Sequence, residues 1–376
     1  MQMMKFPGTD INTSRLGLGC MRLPVDAEGK VDRPEAIRLI REAIDNGVTY
    51  IDTAYGYHNG ESEFVVGEAL KDGYRERVTL VTKLPVWKVE KPEDMEALLD
   101  EQLSRLQTDH VDFYLLHALD KDSYNRVREM GAREFLTRMI EKGKIRYPAF
   151  SFHDDAEAFK YIAQDYDWKM IQVQMNILDE FNQATLQGVK DYAEARGIGA
   201  VVMEPLRGGS LARNVPEEIL KIYEGAETSR SPVEWAFRWL YDQSAFITIL
   251  SGMSDEAQLK DNLRIFAEAK TGVMTQAEKD MMVQVREAYE KRIRVGCTGC
   301  EYCLPCPQGV KIPRIFRSVD QAAMFNTLDN YKKHYASIVE KGEGADNCVQ
   351  CGLCEEKCPQ HIRIRDMLAD IHKEFA

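Results

Sequence analysis

Over the first 270 residues, short apolar runs alternate with segments whose apolar positions recur every three or four residues. The runs RLGLGC (15–20), VTYIDT (48–53), VTLVTK (78–83), VDFYLLH (111–117), IRYPAFS (145–151), MIQVQM (170–175), IGAVVM (198–203) and FITIL (246–250) have the length and composition of strands. Between them lie helical patterns such as PEAIRLIREAIDNG (34–47), SEFVVGEALKDG (62–73), PEDMEALLDEQLSRL (92–106) and ATLQGVKDYAEARG (184–197). Two of these stop at Gly47 and Gly197, as helix C-termini prefer. Eight strands, each followed by a helix, predict an α/β fold of the (β/α)8 TIM barrel type rather than an open doubly wound sheet. After Gly17 and Gly19 no third glycine completes a dinucleotide fingerprint, which also argues against the open sheet.

The rhythm then changes. Residues 275–295, TQAEKDMMVQVREAYEKRIRV, read as one long charged helix, and the spacing of Ile315, Val319, Ala322, Leu328, Tyr331, Tyr335 and Ile338 is helical too. A barrel over 1–290 is therefore expected to be followed, over 291–376, by a small, mostly α-helical, ferredoxin-like domain.

That second region holds eight of the nine cysteines. Cys297, Cys300, Cys303 and Cys306 precede Pro307; Cys348, Cys351, Cys354 and Cys358 precede Pro359. Three thiolates two residues apart can wrap three corners of a cubane cluster, while the Cys before proline ligates the cluster of the other run. This rule predicts two [4Fe–4S] sites, one from Cys297, Cys300, Cys303 and Cys358, the other from Cys348, Cys351, Cys354 and Cys306. The first run departs from the bacterial ferredoxin spacing, since two residues rather than three separate Cys303 from Cys306. Structural zinc favours Cys pairs set apart by a longer loop. A disulfide framework suits a short secreted chain, whereas the start, MQMMKFPGTD, has no apolar core of signal-peptide length. Many thiols and no export signal place the chain, as an expectation, in a reducing cytoplasm.

Composition narrows the partners. The formal net charge is −12, and residues 297–376 hold 10 Lys and Arg against 11 Asp and Glu, so nearly all the charge lies on residues 1–296. A chain this acidic is a poor nucleic-acid binder. With 44% hydrophobic residues a large core can form, yet no apolar stretch approaches the ~20 residues of a membrane span.

Chemistry in a (β/α)8 barrel sits at the C-terminal ends of strands. Asp52 ends one predicted strand with Tyr57 in the loop beyond it, Lys83 ends the next and His117 the one after. Buried charge without a partner is costly, so three ionisable groups at three consecutive strand ends point to a site. There Lys83 as a cation is expected to lower the pKa of the Tyr57 phenol, Asp52 to hold Lys83 charged, and His117 to orient a carbonyl oxygen. The set suits protonation of that oxygen while hydride reaches the carbon.

Over about residues 10–270 the chain resembles the aldo-keto reductase superfamily, through GLGCMRLP (17–24), AIDNGVTYIDTAYGYHNGESEFVVGEAL (43–70), VTKL (81–84), DFYLLH (112–117) and SGMSDEAQLKDNL (251–263). The resemblance implies that Asp52, Tyr57, Lys83 and His117 form the family's catalytic tetrad and that a nicotinamide cofactor lies across the barrel mouth. The family's cofactor positions map onto Ser151, Gln172, Met203, Leu206, Gly208, Gly252, Ser254, Gln258 and Asn262. Several depart from the family pattern: Phe152 replaces an Asn beside Ser151, Met203 a stacking aromatic, Glu204 a polar neighbour, and Gln258 the arginine that often grips the 2′-phosphate. NADP and NAD both stay open. The cysteine region resembles the extra domain of an iron–sulfur branch of the same superfamily.

The expected function is an oxidoreductase that moves hydride between NAD(P)H and a carbonyl/alcohol substrate (a sugar, aldehyde or ketone) and carries two [4Fe–4S] clusters. The alternative is a ferredoxin-type electron-transfer protein with the barrel as docking scaffold, and either reading leaves room for a redox partner protein. Hydride moves two electrons together and a cubane one, so the clusters are structural or regulatory unless a partner or cofactor splits the pair. His153, His58, Trp87 and Tyr55 are candidate pocket residues, Cys20 a buried apolar group, and Lys332 with Lys333 a solvated helix face.

Overall fold

The computed structural model describes all 376 residues. Two short strands absent from the predicted set open the chain: β1 (Met3–Lys5) and β2 (Asn12–Ser14), paired antiparallel. The eight apolar runs are β3 (Leu16–Gly19), β4 (Tyr50–Asp52), β5 (Thr79–Leu84), β6 (Val111–Leu119), β7 (Ile145–Phe152), β8 (Met170–Gln174), β9 (Gly199–Met203) and β10 (Phe246–Ser251). They pair in parallel and close as one barrel in the order β10-β3-β4-β5-β6-β7-β8-β9. The (β/α)8 expectation thus holds, because each run is too apolar to leave either face of a strand in water.

The unpredicted hairpin has a packing role. Phe6 follows β1, is fully buried, and meets the Phe113 ring at 4.8 Å. It lies so close to Gly199, the first residue of β9, that any Cβ there would collide with its ring. The hairpin therefore closes the N-terminal end of the barrel and leaves the opposite end open.

The chain packs as two units: residues 1–208 with 234–275, and residues 209–233 with 276–376. The second is helical, built on Glu217–Glu224, Gln276–Glu290, Ile312–Met324, Leu328–Glu340 and Ile364–Phe375. Its core gathers Ile315, Phe316, Val319, Tyr335, Ile338, Leu368 and Ile371, and six of the eight cysteines pack against that core. No helix is long and apolar enough to cross a membrane.

Candidate active site and cysteine centre

Lys83 is fully buried inside the barrel. Its Nζ donates to Asp52 Oδ1 at 2.7 Å, to the Thr53 carbonyl at 2.8 Å and to the Tyr57 hydroxyl at 3.3 Å. Tyr57 opens the short turn Tyr57–Gly60 beyond β4, so strand end and loop deliver acid and phenol to one ammonium. The His117 ring stands 6.2 Å from that of Tyr57, with its Nδ1 buried and without a hydrogen-bond partner. The structure thus brings Asp52, Tyr57, Lys83 and His117 together, with Trp87, 55% exposed, tilted over His117 at 5.2 Å.

Burial competes with pairing at each group. At Lys83 it works to lower the pKa, but the Asp52 carboxylate and the Tyr57 hydroxyl outweigh it, and the ammonium is held charged. Burial raises the Asp52 pKa against the pull of Lys83. Burial, with the Lys83 and His153 charges adding to it, drops His117 to about 3. The imidazole is therefore neutral at physiological pH. Tyr57 corrects the sequence expectation: Lys83 does act to lower its pKa, but loss of solvent is the larger effect and the net direction is upward. Sequence shows the neighbour, not the depth. The phenol stays protonated, with its O–H available to a ligand oxygen.

A polar network behind Lys83 was not legible in the sequence. Gln102 Nε2 donates to the Lys83 carbonyl at 3.0 Å and to Glu63 Oε1 at 2.7 Å; Glu63 also accepts from Thr82 Oγ1 at 2.6 Å. Tyr114 donates to Gln102 Oε1 at 2.7 Å. Glu63 and Gln102 are fully buried, each a polar residue on the inward face of a helix. That placement is the signal a periodicity reading could have used.

The positions matched to a cofactor lie at the same open end. Ser151 and Gln172 stand side by side on β7 and β8, and Met203 ends β9. Leu206 and Gly208 follow β9; Gly252 and Ser254 follow β10. Ser151 Oγ accepts from the Ala118 N–H at 2.7 Å, and Gln172 Nε2 lies 3.8 Å from the Met203 sulfur. Asn262, buried, donates to Ser251 Oγ at 2.8 Å, whereas Gln258 folds back onto Asp255 at 2.6 Å. Gln172 Oε1 and His117 Nδ1 are both buried without partners. Two such orphaned polar atoms at one mouth are what a hydrogen-bonding carboxamide and carbonyl would satisfy, so the residues fit a nicotinamide and a substrate.

Other candidates separate. His58 Nε2 accepts from the Leu23 N–H at 2.9 Å, which makes it a turn-holding residue. Tyr55 lies under the Arg105 guanidinium at 4.1 Å, its hydroxyl toward Glu101. His153 stands close enough to His117 to oppose its protonation. Cys20 is fully buried, and burial pushes its thiol pKa far up.

In the second unit Cys297, Cys300, Cys303 and Cys358 line one cavity, with Ile312, Phe316 and Ile364 in its walls. Cys306, Cys348, Cys351 and Cys354 line a second, of about 120 Å³, which Cys303 lines as well. Each Cys-Pro step leads, six residues after its cysteine, into a helix, Ile312–Met324 and Ile364–Phe375. Repeated geometry thus carries Cys306 to the second cavity and Cys358 to the first. The donor set, four thiols round each of two spaces, fits a cubane cluster. Buried Asp320, unflagged by the sequence, accepts the N–H groups of Arg294, Val295 and Gly296 at 2.8–3.0 Å and so holds the approach to Cys297.

The sequence model of the aldo/keto reductase family matches residues 15–279, and that of a 4Fe-4S dicluster domain matches residues 296–363. Among characterised proteins, the chain is 27% identical over 331 residues to an NADH-specific methylglyoxal reductase of Escherichia coli, covering 75% of this chain and 98% of that one. It is 31% identical over 228 residues to the aldo-keto reductase YhdN of Bacillus subtilis, covering 58% of this chain and 66% of the other. Among solved structures, the holo form of an aldo-keto reductase from Bacillus halodurans superposes with a TM-score of 0.64 at 27% identity, covering 76% of this chain and 96% of that one.

Proposed function

Because the chain belongs to the aldo/keto reductase family and carries a 4Fe-4S dicluster domain, we propose that this oxidoreductase interconverts a carbonyl and an alcohol with NAD(P)H. The observation that carries the reading is the buried Lys83 ammonium, bound to Asp52 at 2.7 Å and to the Tyr57 hydroxyl at 3.3 Å beside a neutral His117. Gln172, Ser151 and the loops after β9 and β10 would hold a nicotinamide, which when bound would supply the hydride for the carbonyl carbon. Tyr57 gives its proton to the carbonyl oxygen, and Lys83 stabilises the phenolate left behind. Asp52 keeps Lys83 charged and in place. His117, unable to act as an acid at neutral pH, orients the carbonyl by hydrogen bonding. Carbonyl plus hydride plus the Tyr57 proton balances to alcohol, and the reverse direction runs through the same groups.

Gln258 offers no cation to a 2′-phosphate, which supports use of both NADH and NADPH. The E. coli relative is named for methylglyoxal, and a small aldehyde or ketone, or a sugar, fits a mouth walled by Trp87, His117 and His153. The domain boundary is taken at 290/291. Residues 291–376 are read as carrying two [4Fe–4S] clusters on the eight cysteines, chiefly as stabilising elements of a cytoplasmic enzyme. Cys300 and Cys351 are exposed, and this favours, as a second reading, electron exchange between the clusters and a redox partner protein. The test of the first reading is Tyr57→Phe. Carbonyl reduction should fall ~10²–10⁴-fold, the usual contribution of a general acid, with nucleotide affinity nearly unchanged. Activity within about threefold of the parent would exclude Tyr57 as the proton donor.

A further inference from the structure

Glu63 is fully buried on the helix Ser62–Ala69, which begins just after the turn that carries Tyr57. A carboxylate out of water is costly unless its oxygens are hydrogen-bonded. Here Oε1 accepts from Thr82 Oγ1 at 2.6 Å and from Gln102 Nε2 at 2.7 Å. Oε2 accepts from Arg105 Nη1 at 3.2 Å. Gly67, one turn further along the helix, makes this reach possible. A Cβ there would stand 2.6 Å from the Arg105 carbonyl oxygen, so glycine is what lets the helix seat against Pro92–Leu106.

Two of the donors to Glu63 also hold the active site, one on each side. Gln102 Nε2 donates to the Lys83 carbonyl at 3.0 Å, and the Tyr114 hydroxyl on Gln102 Oε1 at 2.7 Å fixes which way the amide faces. Arg105 Nη1 donates to the Tyr55 carbonyl at 3.4 Å, and its guanidinium lies 4.1 Å from the centre of the Tyr55 ring. Tyr55 is in the loop of Tyr57, two residues before it. One carboxylate thus ties the strand end that carries the ammonium to the loop that carries the phenol. The gap between those groups is sensitive to small shifts. Lys83 Nζ stands 3.3 Å from the Tyr57 hydroxyl, already past the usual ~2.9 Å. An apolar side chain at position 63 would fill the space without the desolvation cost, so packing alone does not account for the carboxylate.

We propose that Glu63, acting through Gln102 and Arg105, is a positioning residue that sets the distance between the Tyr57 phenol and the Lys83 ammonium. The proposal rests on the carbonyl-reductase reading above, in which Tyr57 is the proton donor.

Steady-state kinetics of the full chain with NADH or NADPH test it, with glyceraldehyde, benzaldehyde and butanone as carbonyl probes. Glu63→Gln should lower kcat roughly ten- to a hundredfold, as about an ångström of misplacement does. Nucleotide affinity, read by calorimetry, should stay within twofold of the parent. Arg105→Met, at a site 13% exposed and so less able to unfold the barrel, should lower kcat by a smaller factor with the same split. Added to Tyr57→Phe, either change should alter the residual kcat by less than twofold, because its effect runs through the phenol. A merely structural defect would lower kcat by the same factor in both backgrounds. Equal losses in the two backgrounds, or both single variants within twofold of the parent, overturn the assignment and leave the carbonyl-reductase reading intact. If the parent oxidises neither nucleotide with any of the three probes, that reading fails and the assignment falls with it.

Discussion

In the barrel, the chain itself supplies every partner of the reactive ammonium: Lys83 is met by Asp52, Thr53 and Tyr57, and its carbonyl is tied by Gln102 to Glu63. In the cysteine module the reactive groups line two cavities, and six of the eight pack against the small core of residues 310–375. One region is a preorganised polar site inside a large core. The other is a frame of helices whose loops converge on thiols. A segment of this size has a small core, and such domains often lean on metal ligation, among other staples, for stability. Hydrogen bonds inside a core fix the reactive groups of the first region, whereas those of the second stand where a bound cluster would fix them.

The largest effect should come from unpairing the barrel site. Lys83→Met leaves a buried carboxylate without its cation and should cost about 3–5 kcal/mol of barrel stability along with activity. Adding Asp52→Leu should restore most of that stability in urea unfolding, while activity stays lost. If the single variant is as stable as the parent, the pair is not what organises the site.

A smaller effect concerns acid. His117 has its pKa depressed to about 3 by burial, whereas an unfolded histidine titrates near 6.5. Between those values the unfolded chain binds a proton that the native site refuses. The contribution is fully present above about pH 6.5 and is lost as pH falls toward 3, by about 1.4 kcal/mol per pH unit at most. His117→Asn should therefore flatten the loss of barrel stability between pH 6 and 4 relative to the parent. Parallel curves would show that His117 is not buried neutral.

The eight strands were legible because each is a short, mainly apolar run between helical segments, and Asp52, Lys83 and His117 because each is a polar residue at the end of such a run. The cysteine sites were legible because ligation depends on spacing along the chain. What could not be read depends on residues far apart in sequence. The β1–β2 hairpin has strands of three residues and its place comes from Phe6 against the barrel floor. The Glu63–Thr82–Gln102–Tyr114 network joins four separate elements. The net rise of the Tyr57 pKa reflects depth of burial, which no local pattern encodes. His58, adjacent to Tyr57, turned out to face the Leu23 backbone because its own backbone is left-handed, at φ 51°.

The barrel should hold its site without metal, whereas the cysteine module should not. Amide hydrogen exchange on the full chain, reconstituted anaerobically to about eight irons and then stripped of iron by chelation, tests it directly. Protection should be lost across residues 291–376, with β3–β10 and NAD(P)H binding unchanged. Loss of protection in the barrel strands, or a cysteine module that stays protected without iron, would contradict it.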